Sequence, residues 1–336
     1  MAPGDDRSLK ATSTNSTPAP STARRLWLVA QLSLLAVVLV LAGRAVASQW
    51  NELLAEAKDL DLRWKWIGLS AVMVLAVHAM LIQTWRVLLA GWGSDLHFGS
   101  AVRIWTISNL GKYLPGKVWS IGALGVLAKR EGVSGVAASG AALLNALLNL
   151  GAGFGVIALV AASETHRVAP WLRNAAIAGS VLFVVGVLAL PRVLPPLLDR
   201  VAKWRKVSAA PQHVPASRLW LVTLLHALSW VGYGLAFQAF TLGVTPQVAG
   251  ASTMFIAVYA ASYLLGYLTL FAPGGIGVRE SAMVGLLVTF GLALKPDAIL
   301  LSLASRVWLT VVEVLPGLIA LLLTPAAMRR ALRRTQ

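Results

Sequence analysis

No Asp, Glu, Lys or Arg occurs from Leu219 through Val278, and nothing else in the chain limits its possible folds so strongly. Shorter charge-free runs cover Leu26–Gly43, Trp66–Trp85, Gly132–Ser163 and Asn174–Pro191. A helix needs about 20 apolar residues to cross the hydrocarbon core of a bilayer. Backbone polar groups in lipid must be satisfied within their own segment, so each run reads as a helix. Composition agrees: 57% of residues are hydrophobic and 12% charged, against about 25% charged in soluble domains. The expected fold class is all-α, a polytopic helical membrane protein.

The chain has no cysteine. That excludes disulfides, cysteine-zinc sites, iron–sulfur clusters and thiol catalysis. No cofactor is expected, and no G-x-x-x-x-G-K-[ST] phosphate loop is present. The net charge of +16 could suggest a nucleic-acid partner. The basic residues instead flank apolar runs, as topology signals and anionic-lipid contacts do, so no nucleic acid is expected.

Residues 1–25, rich in Ser, Thr, Pro and Ala, are expected to be a disordered N-terminus. A transmembrane domain over 26–325 and a basic tail over 326–336 follow. Leu26–Gly43 resembles a signal core before Ala45-Val46-Ala47, but it exceeds the usual core of about 7–15 residues. It is therefore read as a retained span. Asn51–Arg63 is amphipathic and expected to lie at the interface. Further spans are expected at Trp66–Leu89, Ser134–Ala162, Trp171–Leu190, Leu219–Leu242, Val248–Phe271, Val278–Leu294 and Ala298–Leu323. This gives about eight membrane-crossing elements. Val248–Leu294 reads equally as two spans or as one re-entrant pair.

Phe98–Leu127 holds Arg103, Lys112, Lys117, Pro115 and Gly116 and reads as two short helices meeting at Pro115-Gly116. Pro191–Arg218 reads as a basic loop. Most of the 29 Lys and Arg fall in the N-terminus, at Lys129 and Arg130, in that loop and in the tail. The opposite side receives Arg44, Lys58, Arg63, Lys65, Arg167, Arg173 and Lys295. The positive-inside rule then places both termini in the cytoplasm.

Two Pro-Gly breaks carry the functional argument. LGKYLPGKVWSIG runs from Leu110 to Gly122, and LGYLTLFAPGGIGVRES, which ends in APGGIGVRES, from Leu265 to Ser281. Each has a Leu-Gly approach, a break, a basic residue, a short apolar helix and then a long span. This is a weak internal repeat, and repeats with helices broken near the membrane middle mark secondary transporters. Proline removes a backbone donor and glycine permits the turn. The helix that restarts offers free N–H groups and partial positive charge, which suit an anion. Lys117 and Arg279 stand beside the two breaks. The plain alternative is that each break ends a helix at the surface, with both cations reaching water.

Arg306 lies deep in the last span, with Glu313 seven residues on and near the same face. Such charges usually face a bundle interior or cavity. Arg306 could contact an anionic headgroup while Glu313 balances charge, or Arg306 could pair structurally with Glu280. Glu280 could also simply offset the helix dipole. Asn145 and Asn149 are expected to hydrogen-bond between helices. His78 and His226 are expected to be packed.

In order and spacing, LGKYLPGKVWSIG and APGGIGVRES resemble the lysylphosphatidylglycerol synthase transmembrane-region family. This is the flippase-like membrane part of the multiple peptide resistance factor proteins. The resemblance spans Leu62 to Leu323. Lys112, Pro115, Gly116 and Lys117 match the first motif; Pro273, Gly274, Gly275, Gly277, Arg279 and Glu280 match the second. The resemblance implies lipid handling. The separate domain that makes aminoacylated lipid is not expected here, since the chain ends at Gln336.

The resulting expectation is a lipid translocase or lipid-binding transporter of the cytoplasmic membrane, not an enzyme. It would hold an anionic phospholipid or polyprenyl-phosphate headgroup at Lys112, Pro115, Gly116, Lys117, Gly274, Gly275, Gly277, Arg279, Glu280, Arg306 and Glu313. The alternatives are a transferase using a polyprenyl-phosphate donor, with Glu164, His166 and Glu280 as isolated candidates, and an accessory subunit. A homo-oligomer or a partner membrane protein is compatible with all three.

Overall fold

The computed structural model describes residues 62–110, 118–163, 170–205, 214–248, 250–269, 275 and 277–323. The N-terminus, the first expected span, most of the amphipathic segment, Glu164, His166, residues 206–213 and the basic tail lie outside them. So do both Pro-Gly dipeptides. Among the described residues every regular element is a helix. They are α1 (Trp64–Gly91), α2 (Phe98–Asn109), α3 (Val118–Arg130), α4 (Gly135–Ser163), α5 (Pro170–Arg205), α6 (Ala216–Val244), α7 (Ser252–Leu268), α8 (Val278–Thr289) and α9 (Lys295–Leu323).

Five helices, α1, α4, α5, α6 and α9, are long and apolar enough to cross a bilayer. The other four are not. α2 and α8 have 12 residues each, about 18 Å at 1.5 Å per residue, against a core of about 30 Å. They form two hairpins, α2–α3 and α7–α8. The open end of the first is closed by Glu131, which accepts hydrogen bonds from Ser100 and Arg103. The open end of the second is closed by Leu292, which packs against Gly250. Of the two readings of Val248–Leu294, these short arms fit one re-entrant pair better than two full crossings. α7 with 17 residues and α8 with 12 both fall below the usual spanning length of about 20.

The hairpins enter from opposite faces. On one face Arg63 N–H donates to Gly243 O at 2.9 Å, so the start of α1 meets the end of α6. On the other face Gly91, at the end of α1, meets Val214 just before α6. The first hairpin opens on this second face, near the end of α1, where Arg86 donates to Leu96 O at 2.7 Å. The second hairpin follows α6 and opens on the first. Span–hairpin–span thus occurs twice, α1 to α4 and α6 to α9, in inverted orientation. The pairings repeat as well: α4 packs on α7 as α9 packs on α2, and α3 on α4 as α8 on α9.

α5 links the halves at the periphery. Val181, Leu182, Val185 and Leu188 are exposed, as lipid-facing residues are. α5 corrects one expectation: it continues through Pro191, Pro195 and Pro196 to Arg205 instead of ending at Leu190. Proline at 191 cannot donate to the carbonyl of Val187 four residues earlier. Trp220 of α6 supplies the missing donor, with Nε1 at 3.0 Å from Val187 O. Neighbouring side chains restore freed backbone groups in this way inside membranes.

Two apolar cores fill the bundle, one around each hairpin. Helices in lipid gain little from hydrophobic exclusion and associate through close packing at small residues. Gly234 of α6 shows it, because a Cβ there would lie 2.4 Å from Ile256 Cα of α7. Asn145 and His226 link α4 to α6, with Nε2 at 3.1 Å from Oδ1.

Candidate functional site: a hollow between the two hairpins

Between the two hairpins there is a hollow of about 270 Å³. α2 contributes Trp105, Ser108 and Asn109, and α3 contributes Ser120, Ile121 and Leu124. The inverted counterparts bring Tyr263, Gly266 and Tyr267 from α7, then Gly275 from the turn and Arg279 from α8. Ala142 and Ala146 of α4 face Arg306, Leu309, Thr310 and Glu313 of α9 across it. All these α9 residues lie well away from either end of a helix that can cross the bilayer, so the hollow sits at membrane depth.

The sequence of the second break builds its wall. Gly275 (φ 70°) and Gly277 (φ 85°) adopt the left-handed region, where other residues are strained. The turn folds so tightly that a Cβ on Gly275 would lie 2.6 Å from Gly266 O. α8 then restarts at Val278, and Glu280 reaches back so that Oε2 accepts from Gly277 N–H at 2.7 Å. The other carboxylate oxygen of Glu280 accepts from Arg306 Nη1 at 2.6 Å. Glu280 thus caps the helix and anchors Arg306, and the α8 N-terminus already has its anion.

Arg279 is held differently. Its guanidinium carbon lies 5.5 Å from the Tyr259 ring centroid and 5.2 Å from that of Tyr263, a cation–π seat. Tyr259 stacks in turn on Tyr233 and Tyr263. Arg279 Nη2 is buried and has no hydrogen-bond partner among the described residues. Ser108 Oγ, on the other hairpin, is buried and unpartnered in the same sense. A buried polar atom without a partner costs about 1–3 kcal/mol, more if charged. A guest with acceptor oxygens would relieve both.

Of the candidate residues, Gly275, Arg279, Arg306 and Glu313 converge on the hollow. Gly277 and Glu280 support its wall from the α8 start. Lys112, Pro115, Gly116, Lys117 and Gly274 lie outside the described residues. Sequence reasoning missed Trp105, Ser108, Asn109, Thr310 and the tyrosines. One signal was available: Tyr259, Tyr263 and Tyr267 recur every four residues on one face of α7, and the chain has only 5 tyrosines. His78 is more than packed. Its Nε2 stands 3.6 Å from Glu313 Oε1.

No curated protein matches the chain. The family model for the lysylphosphatidylglycerol synthase TM region matches residues 28–317, which include both hairpins and every residue described at the hollow. The chain therefore belongs to the lysylphosphatidylglycerol synthase transmembrane-region family.

Proposed function

We propose that the protein carries an anionic lipid between the leaflets of the cytoplasmic membrane, with both termini in the cytoplasm. The headgroup phosphate enters the hollow while the acyl or prenyl chains stay in lipid. Family membership supports a lipid-related role. The observation that carries the transport reading is Arg279, seated on two tyrosines, with a buried nitrogen that lacks an acceptor.

An embedded cation is costly at the centre of a bilayer. A phosphate offers what Arg279 Nη2 lacks among the described residues, an acceptor, and a charged one bonds more strongly than a neutral one. Ser108 from the opposite hairpin would donate to the same group. Because the hairpins enter from opposite faces, displacing either tip would expose the hollow to one leaflet at a time. A phospholipid and a polyprenyl phosphate share this chemistry. The protein acts by binding and release, without making or breaking covalent bonds.

The test uses purified protein in phosphatidylcholine vesicles with trace fluorescent phosphatidylglycerol or phosphatidylcholine, bleached from outside by dithionite. Protein should let bleaching of phosphatidylglycerol proceed beyond the outer leaflet, and faster than that of phosphatidylcholine. No protein-dependent movement, or equal movement of both lipids, would reject the reading.

A further inference from the structure

We propose that His78 and Glu313 form a proton-binding site coupled to the anion site, so that each anionic headgroup moves together with one proton. This rests on the lipid-transport reading and adds its driving force.

The argument starts from the tautomer. His78 Nδ1 lies 2.9 Å from Val74 O. A carbonyl only accepts, so Nδ1 carries a hydrogen. Tyr233 packs edge-on against the ring at 6.0 Å and 89°, which holds it in place. Nε2 therefore points at Glu313 Oε1, 3.6 Å away. With one proton to share, the pair is either imidazolium and carboxylate or imidazole and carboxylic acid. Both are neutral overall and mutually attractive. With that proton gone, the Nε2 lone pair faces a carboxylate and the pair carries charge −1.

Place and access fit the role. His78 sits midway along α1 and Glu313 in the inner part of α9. Each side chain is about 15% exposed, and Glu313 lines the hollow with Arg279 and Arg306. Ionisable groups at this depth mark ion or proton routes. Other titratable and charged groups face the pair. α6 presents Tyr233, α7 presents Tyr259 and Tyr263, and α8 presents Arg279 and, through Arg306 of α9, Glu280. The α2 and α3 residues described at the hollow are not ionisable. Arg103 and Glu131 pair with each other at the open end of their hairpin.

The consequence is electrostatic linkage. Losing the proton lowers the charge of the hollow by one, whatever the other groups contribute. Anion binding therefore favours the protonated pair, and proton binding favours the anion-loaded site, by reciprocity. A singly charged headgroup with one proton crosses as a neutral load. A gradient of one pH unit, about 1.4 kcal/mol, then supports about a tenfold difference between leaflets.

The experiment imposes one pH unit across vesicles that contain the protein and trace fluorescent phosphatidylglycerol, then reads the final leaflet distribution. Wild type should gather the probe about tenfold toward the alkaline side. His78→Gln and Glu313→Gln, each eluting as a single species like wild type, should leave no asymmetry. Wild type that moves the probe yet ends with equal leaflets overturns the coupling alone. Asymmetry built equally well by His78→Gln also overturns it. Wild type that moves no probe defeats both the coupling and the transport reading.

Discussion

Arg279→Gln is expected to cut protein-dependent movement of fluorescent phosphatidylglycerol by roughly 10- to 100-fold. A hydrogen bond to a charged group contributes about 1.5–3 kcal/mol, and each 1.4 kcal/mol is a factor of ten. Glutamine keeps a donor but removes the charge. It also removes the planar cation that rests 5.2–5.5 Å from the two tyrosine rings. Arg306 is a poor substitute, because Glu280 already balances its charge, with Oε1 accepting its Nη1 at 2.6 Å. Initial bleaching rates at equal reconstituted protein decide the matter. A rate within twofold of wild type would remove Arg279 from the site. Arg279→Lys should fall between, since an ammonium keeps the charge and loses the fork.

Gly275→Val is expected to produce the largest structural loss, about 3 kcal/mol or more from strain and overpacking together. The backbone at Gly275 has φ 70°, which a β-branched residue resists. Its side chain would also meet Gly266 O at 2.6 Å and Gly266 Cα at 2.7 Å. Both are backbone atoms of α7 and cannot rotate away. The pressure would pass on to Arg279, whose Cβ stands only 2.8 Å from where a Cβ on Gly266 would be. The tip should open, and the hollow should lose its shape. Thermal unfolding followed by tryptophan fluorescence in detergent should show a lower midpoint, with Gly275→Ala affected in the same direction but less. An unchanged midpoint for the valine variant would mean that the turn does not pack as described.

Part of this arrangement is legible in the sequence because membranes simplify the reading. A charge in an apolar run has few places to go, so Arg279, Arg306 and Glu313 stand out without any structure. Pro-Gly pairs in such runs announce breaks, and the short arms around them follow. The alternatives at Glu280 also settle cleanly, since it both caps α8 and pairs with Arg306. Contacts between distant segments were not legible. His78 meets Glu313 across 235 positions of sequence, and neither residue names the other. Ser108 and Asn109 look like ordinary helix-end residues until the second hairpin arrives opposite them. Pro191 misleads for the same reason: its missing donor comes from Trp220 on another helix.

The inverted arrangement of the halves was half visible. The two breaks share a local pattern, but their opposite entry depends on α5, an extra span that reverses the second half. No motif marks that reversal. It follows from Arg63 meeting Gly243 and Gly91 meeting Val214.

The central claim is that Arg279 makes the hollow between the hairpins an anion site. The absence of native cysteine makes a direct measurement possible, with Thr310→Cys placing one thiol in the wall. Its modification rates by negatively and positively charged methanethiosulfonates of similar size should differ, with the anionic reagent faster and slowed by added short-chain phosphatidylglycerol. Equal rates, or a faster cationic reagent with no protection by the lipid, would contradict the account.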